Sequence, residues 1–191
     1  MQMFHRFVIG ATAFVLVACS TETSSNSSSP STATSSAVST AANAPLQLPV
    51  VSGEWKAAGD LCKVLTAENA REILGHAHTL INSYSADSLP AGNGIDACDY
   101  RDPSASAGLG TNLKVQRIDD PTWAKTLQEA QAAGPVQRFT VTGVDEAIVT
   151  AANQALVKRG DIMASALNSS AGKFDADGLV KLAAVAANVV A

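Results

Sequence analysis

Between Ser20 and Asn43 the chain offers almost nothing to fold with. Ten of the twenty-one residues from Ser20 to Thr40 are serine and five are threonine, and Glu22 is the only charge among them. Such a stretch cannot bury enough apolar surface to offset the entropy lost on ordering, so it is expected to be a disordered tether. A flexible chain of this composition has a root-mean-square reach of about 30 Å. The composition is also that of O-glycosylated stalks. The tract confines any packed body to residues 50–191, a length that suits a single domain around one core. The expected organisation is therefore a leader over 1–18, a tether over 19–49 and a globular domain over 50–191.

The leader is an uncharged apolar run from Phe7 to Ala18, preceded by Arg6 and His5 and no acid. A membrane-spanning helix needs roughly 20 apolar residues, whereas the core of a secretory signal needs about 7–15. The run falls in the second range. It closes on Leu16-Val17-Ala18-Cys19, which resembles the lipobox of bacterial lipoproteins. That resemblance implies diacylglycerol on the Cys19 thiol, cleavage before Cys19 and acylation of the new amino terminus. Each buried methylene contributes about 0.8 kcal/mol, so two or more chains anchor durably where one is marginal. The membrane, reached through acylated Cys19, is thus the first expected partner. The competing reading is an ordinary secretory signal followed by a free cysteine. An exposed unpaired thiol is a liability in an oxidising compartment, which favours a modified Cys19. Ser20, rather than an aspartate, follows the cysteine. In a cell with two membranes that resembles the sorting default to the periplasmic face of the outer membrane. In a cell with one membrane the anchor would sit in its outer leaflet.

Removing residues 1–18 takes away Arg6 and no acid, leaving 12 basic and 17 acidic residues and a formal charge of −5. This balance argues against nucleic acid as a partner. Cys62 and Cys98 are the remaining cysteines, and outside the cytoplasm each has only the other to pair with. A disulfide closing that loop is worth about 3–4 kcal/mol by chain-entropy arithmetic. A redox or metal pair is the alternative, but there is no CxxC spacing and no nearby ligand cluster.

Along the body, Asp60–Leu65 reads as one helical turn that places Cys62. Thr66 is a natural N-cap for a helix over Ala67–Leu74, with Gly75 as its stop. His78–Tyr84 has strand character, 86–96 reads as a loop, and Ile95–Arg101 alternates so that Cys98 and Tyr100 share a face towards the first helix. Thr111–Ile118 alternates again, with Leu113, Val115 and Arg117 on one side and Lys114, Gln116 and Ile118 on the other. Asp119 or Asp120 should cap a helix through Trp123, Leu127 and Ala130 that ends at Gly134-Pro135. Val136–Val141 reads as a strand, and Gly143 turns into Glu146–Ala151, which is short and apolar. Gln154–Arg159 and Ile162–Asn168 read as a hairpin turning at Gly160-Asp161. Asp175 or Asp177 should cap a last helix whose apolar stripe is Leu179, Leu182, Val185, Ala186, Val189 and Val190. This order predicts an α+β domain with a largely antiparallel sheet covered by helices.

Several short motifs occur in a fixed order: Cys62-Lys-Val-Leu-Thr66, Ile73-Leu74-Gly75, Cys98-Asp-Tyr100, Thr142-Gly-Val-Asp145 with Ala147, Arg159-Gly-Asp161, and the segment Asp177–Val190. Together they resemble a family of uncharacterised bacterial lipoproteins, best represented in actinobacteria, over most of residues 60–190. Tyr100 stands where that family usually has tryptophan, and glycine is common there near the position of Asp145. The resemblance implies a sheet with helices of the Mog1/PsbP type. It brings no established activity, no cofactor and no site residues beyond the cysteines.

Chemistry-bearing motifs are sparse. His76 and His78 would share a face on a strand and are the only metal candidates. Asp87 and Asp96 are separated from them by a glycine-containing loop. Ser170-Ala-Gly-Lys173 has the SxxK spacing of penicillin-binding enzymes without its companion motifs. Asp175-Ala-Asp177-Gly178 is a fragment of a calcium loop lacking the remaining ligands. No phosphate-binding, dinucleotide or nucleophile-elbow motif is present. The expectation is a non-catalytic binding or interaction module that takes an envelope protein or a small ligand. The alternatives are an accessory subunit of an envelope complex, or a small enzyme or metal-binding protein using His76 and His78.

Overall fold

A computed structural model of the chain describes residues 44–75, 79–85, 94–101, 110–169 and 176–191. The expected leader and tether, Cys19 included, lie outside them.

A single turn, α1 (Leu61–Val64), leads into α2 (Ala67–Leu74). Thr66 caps α2 reciprocally: its side chain accepts from the Asn69 amide while the Asn69 side chain accepts from the Thr66 amide. Gly75 ends the helix at φ 71°, a left-handed conformation that costs a residue with a Cβ. Three strands follow as a meander, β1 (Thr79–Ser85), β2 (Gly94–Arg101) and β3 (Gly110–Arg117). β2 begins at Gly94, one residue before the expected start at Ile95.

The helix α3 (Asp120–Ala133) then carries the chain across one face of the sheet. Asp119 is its N-cap, accepting from the Thr122 amide at 2.8 Å, and Pro121 sits in the first turn, where its missing N–H leaves no donor unpaired. The chain returns through β4 (Gln137–Phe139), β5 (Glu146–Val149), β6 (Gln154–Arg159) and β7 (Ile162–Asn168). β7 pairs with β3, which gives one seven-stranded sheet in the order β1-β2-β3-β7-β6-β5-β4 with every neighbouring pair antiparallel. The last helix, α4 (Ala176–Val190), lies on the other face. The fold is α+β.

The two faces bury different side chains of the same strands. Ala147, Val149, Ala155, Val157, Ala164 and Ala166 point towards α4, while Ile148, Leu156 and Met163 point towards Trp123 and Leu127 of α3. Alternation along a strand produces this division. It also accounts for the abundance of alanine. Ala155, Ala164 and Ala166 meet a helix that itself carries Ala183, Ala184, Ala186 and Ala187, all fully buried, and small residues on both sides let the helix sit close to the sheet.

Three differences from the expected elements have physical causes. The expected strand Val136–Val141 shortens to three residues because Val141 leaves β4 and forms an isolated parallel bridge with Leu46. Arg117 stands on the core side by alternation, but it ends its strand exposed and pairs with Asp161. The last helix buries every residue from Gly178 to Ala187 except half-buried Lys181, because α2 packs on it as well as the sheet. Val189 and Val190 are only half-buried. Among the described residues no helix is long and apolar enough to cross a membrane.

Candidate functional site

The densest polar arrangement lies where α1 meets β2. Cys62 and Cys98 are joined there in a disulfide, with Cα atoms 5.5 Å apart. Two residues before Cys98, and on the same face of the strand, Asp96 is fully buried. One of its oxygens accepts three hydrogen bonds, from the Trp55 indole at 3.0 Å, the Gly59 amide at 2.8 Å and the Leu61 amide at 2.9 Å. The other accepts from the Ala97 amide at 2.9 Å. A buried carboxylate is costly unless its lone pairs are occupied, and four N–H donors occupy these. Trp55 and Gly59 belong to the irregular segment before α1, Leu61 opens α1 and Ala97 is in β2, so the carboxylate ties that segment and the start of α1 to the strand.

Around this centre, Tyr100 is buried and donates its hydroxyl to the Leu65 carbonyl at 2.6 Å. Burial pushes its phenol well above the usual value, and the neighbouring Asp96 charge adds to the shift. At the surface, Asp60 takes a hydrogen bond from the Lys63 ammonium at 2.7 Å and two more from the Lys56 and Ala57 amides. The Lys63 bond holds the Asp60 carboxyl below its ordinary range, and the same contact raises Lys63.

A second polar group lies between α3 and the β5–β6 pair. The Trp123 indole donates to Glu146 at 2.8 Å, and Glu146 also pairs with Arg138. Lys158, 12% exposed at its side chain, reaches Asp120 at 3.0 Å and Asp145 at 4.0 Å. Asp145 accepts the Gly160 amide at 2.6 Å and so braces the β6–β7 turn. Beside this group runs a cleft of about 440 Å³ between the flank of α3 and the β5–β6 turn, floored by Leu156 and bordered by Thr126, Glu129 and Gln154. A smaller one, about 380 Å³, opens at the start of α3 between Gln116 and Asp161.

Of the residues singled out in the sequence, Cys62 and Cys98 are brought together. His76 and His78, Ser170–Lys173, Asp87 and Asp175 lie outside the described residues. Asp177 is in the first turn of α4 rather than before it. Among the described residues no group of three or more His, Cys, Asp or Glu side chains is placed to hold a metal ion. From the sequence Asp96 has no assigned role, being set apart from His76 and His78 by a glycine-containing loop. Its role as an acceptor follows from its position two residues from a buried cysteine, a signal visible once the strand register is known. No family model matches this chain, and neither a curated protein nor a solved structure matches it.

Proposed function

We propose that this chain is a lipoprotein of the cell envelope, anchored through acylated Cys19, whose folded body is a non-catalytic binding or interaction module. The observation that carries the reading is the apolar run Phe7–Ala18 closing on Leu16-Val17-Ala18-Cys19 and followed at once by a serine- and threonine-rich tract. The Cys62–Cys98 crosslink supports it, because disulfides form and persist outside the reducing cytosol. The buried or half-buried polar side chains Asp96, Lys158 and Glu146 are each engaged by neighbours within the body, which supports a structural role for them. The antiparallel sheet with helices on both faces supports the finer reading as well, a Mog1/PsbP type of domain within the actinobacterial lipoprotein family that the motifs resemble.

Metabolic labelling with palmitate, with mass spectrometry of the amino-terminal peptide, tests the anchor. The native chain is expected to carry label on Cys19 and to partition with membranes. Cys19→Ser is expected to lose the label and to remain uncleaved. A processed native chain with a free thiol at Cys19 would overturn the proposal. Crosslinking in intact envelopes tests the second half, which requires a reproducible partner or ligand on the body.

A further inference from the structure

The described chain begins with a segment, 44–60, that behaves differently from everything after it. No residue in it is buried, and Val50 is 98% exposed, whereas Leu61, Cys62, Val64 and Leu65 are all buried. The segment crosses from the β4 side of the domain to β2. At its start the Leu46 amide donates to the Thr140 carbonyl at 2.9 Å. At its end Trp55 and Gly59 donate to Asp96. Among the described residues the remaining hydrogen bonds on its backbone are local: the Pro45 carbonyl accepts from the Gln47 side chain, the Lys56, Ala57 and Asp60 amides bond within their own turn, and the Asp60 carbonyl accepts from the Lys63 and Val64 amides of α1. Leu46, Leu48, Val51 and Trp55 pack on the core only in part. Immediately beyond it, Cys62 is bonded covalently to β2, an interior strand of the sheet.

We propose that residues 44–60 form a strap that detaches from the folded body as a unit, with the Cys62–Cys98 disulfide as the stop at which detachment ends. Segments with few buried contacts and few cross-body hydrogen bonds open at lower free energy than the sheet they lie on. Opening removes two of the donors on Asp96 and leaves it those of Leu61 and Ala97, so the carboxylate keeps partners on both oxygens. Water takes the vacated positions. Detachment cannot proceed through α1 without pulling on the crosslink. Given the anchoring reading above, on which only its use depends, the strap is an extensible end to the tether. Drawn out fully its seventeen residues span at most roughly 55–60 Å at about 3.3–3.6 Å per residue. The reach gained is what exceeds the distance they already cover when docked, and the sheet is not disturbed.

Native-state hydrogen exchange on the full-length oxidised chain tests this directly. The Leu46 and Gly59 amides are expected to exchange at least about tenfold faster than those of Val115 and Val157, with the Leu65 amide, which is bonded to the Leu61 carbonyl beyond the strap, staying on the slow side. Trp55→Phe keeps the ring's packing and deletes one bond to a charged acceptor. It should speed Leu46 and Gly59 together by about tenfold and leave Val115 and Val157 unchanged. In Cys62→Ser/Cys98→Ser, Leu65 should join the fast set. If Leu46 and Gly59 exchange only at the rate of the sheet, or if Trp55→Phe leaves them unmoved, there is no detachable strap. Leu65 exchanging fast in the oxidised chain would remove the stop. Each result is independent of whether Cys19 is acylated.

Discussion

At the scale of single residues, Asp96 has the largest consequences. Its charge is what makes three donors from before and within α1 converge on one oxygen, and bonds to an ionised acceptor are roughly twice as strong as neutral ones. Asp96→Asn keeps the shape, removes the charge and turns an N–H₂ group towards donors. It should cost about 2–3 kcal/mol of stability, read as a lower urea midpoint at unchanged slope. Tyr100 titrates in the opposite sense to a paired carboxylate. Its folded pKa is raised, mainly by burial, so the folded state favours the neutral phenol. The contribution is complete below the unfolded value of about 10 and is lost progressively as pH rises above it. Alkaline unfolding is therefore expected to begin above about pH 10. The Tyr100 phenol should not ionise until structure is lost, as followed at 295 nm. An absorbance step for both tyrosines with the near-ultraviolet dichroism intact would show the Tyr100 phenol to be accessible.

Among the elements, the β2–β3 pair is the least tolerant of change. At Gly110 a Cβ would lie 2.0 Å from the Tyr100 carbonyl oxygen, a contact that only movement of one strand could relieve. The strain falls on β3, which joins the amino-terminal meander to β7 and hence to the other half of the sheet. Gly110→Ala should destabilise the protein by about 3 kcal/mol or more, measured by thermal or urea denaturation. At Gly160 a Cβ would meet nothing within 4 Å, so substitution there carries only the cost of its positive φ of 56°. The contrast between the two glycines separates a packing requirement from a conformational one.

For the whole molecule, the crosslink and the two-sided sheet act together. The disulfide ties the first helical turn to an interior strand across 36 residues. Cys62→Ala/Cys98→Ala should lose about 4 kcal/mol, as a lower urea midpoint for the double variant than for the oxidised protein. Much of the local structure was legible in the sequence because its causes are local. Thr66 and Gly75 bound α2 by capping chemistry, Asp119 and Pro121 open α3, and Gly160-Asp161 turns the β6–β7 hairpin. Alternation in β3 and in β5 to β7 separates core-facing from outward residues without reference to any partner. Strand order was not legible. The return of β7 to pair with β3 depends on where α3 deposits the chain, and that is decided by Trp123, Leu127 and Ile148 packing across the sheet. The Asp96 cluster was hidden for the same reason, since three of its four donors lie 35 to 41 residues away along the chain. Local hydrogen bonding and periodicity are properties of a few adjacent residues, so the sequence determined the elements, the capping and the pairing of its two body cysteines. Burial is a property of the assembled body. Only the tertiary structure decided which carboxylate would be desolvated, which alanines would meet and where the packed core would leave a strap at its surface.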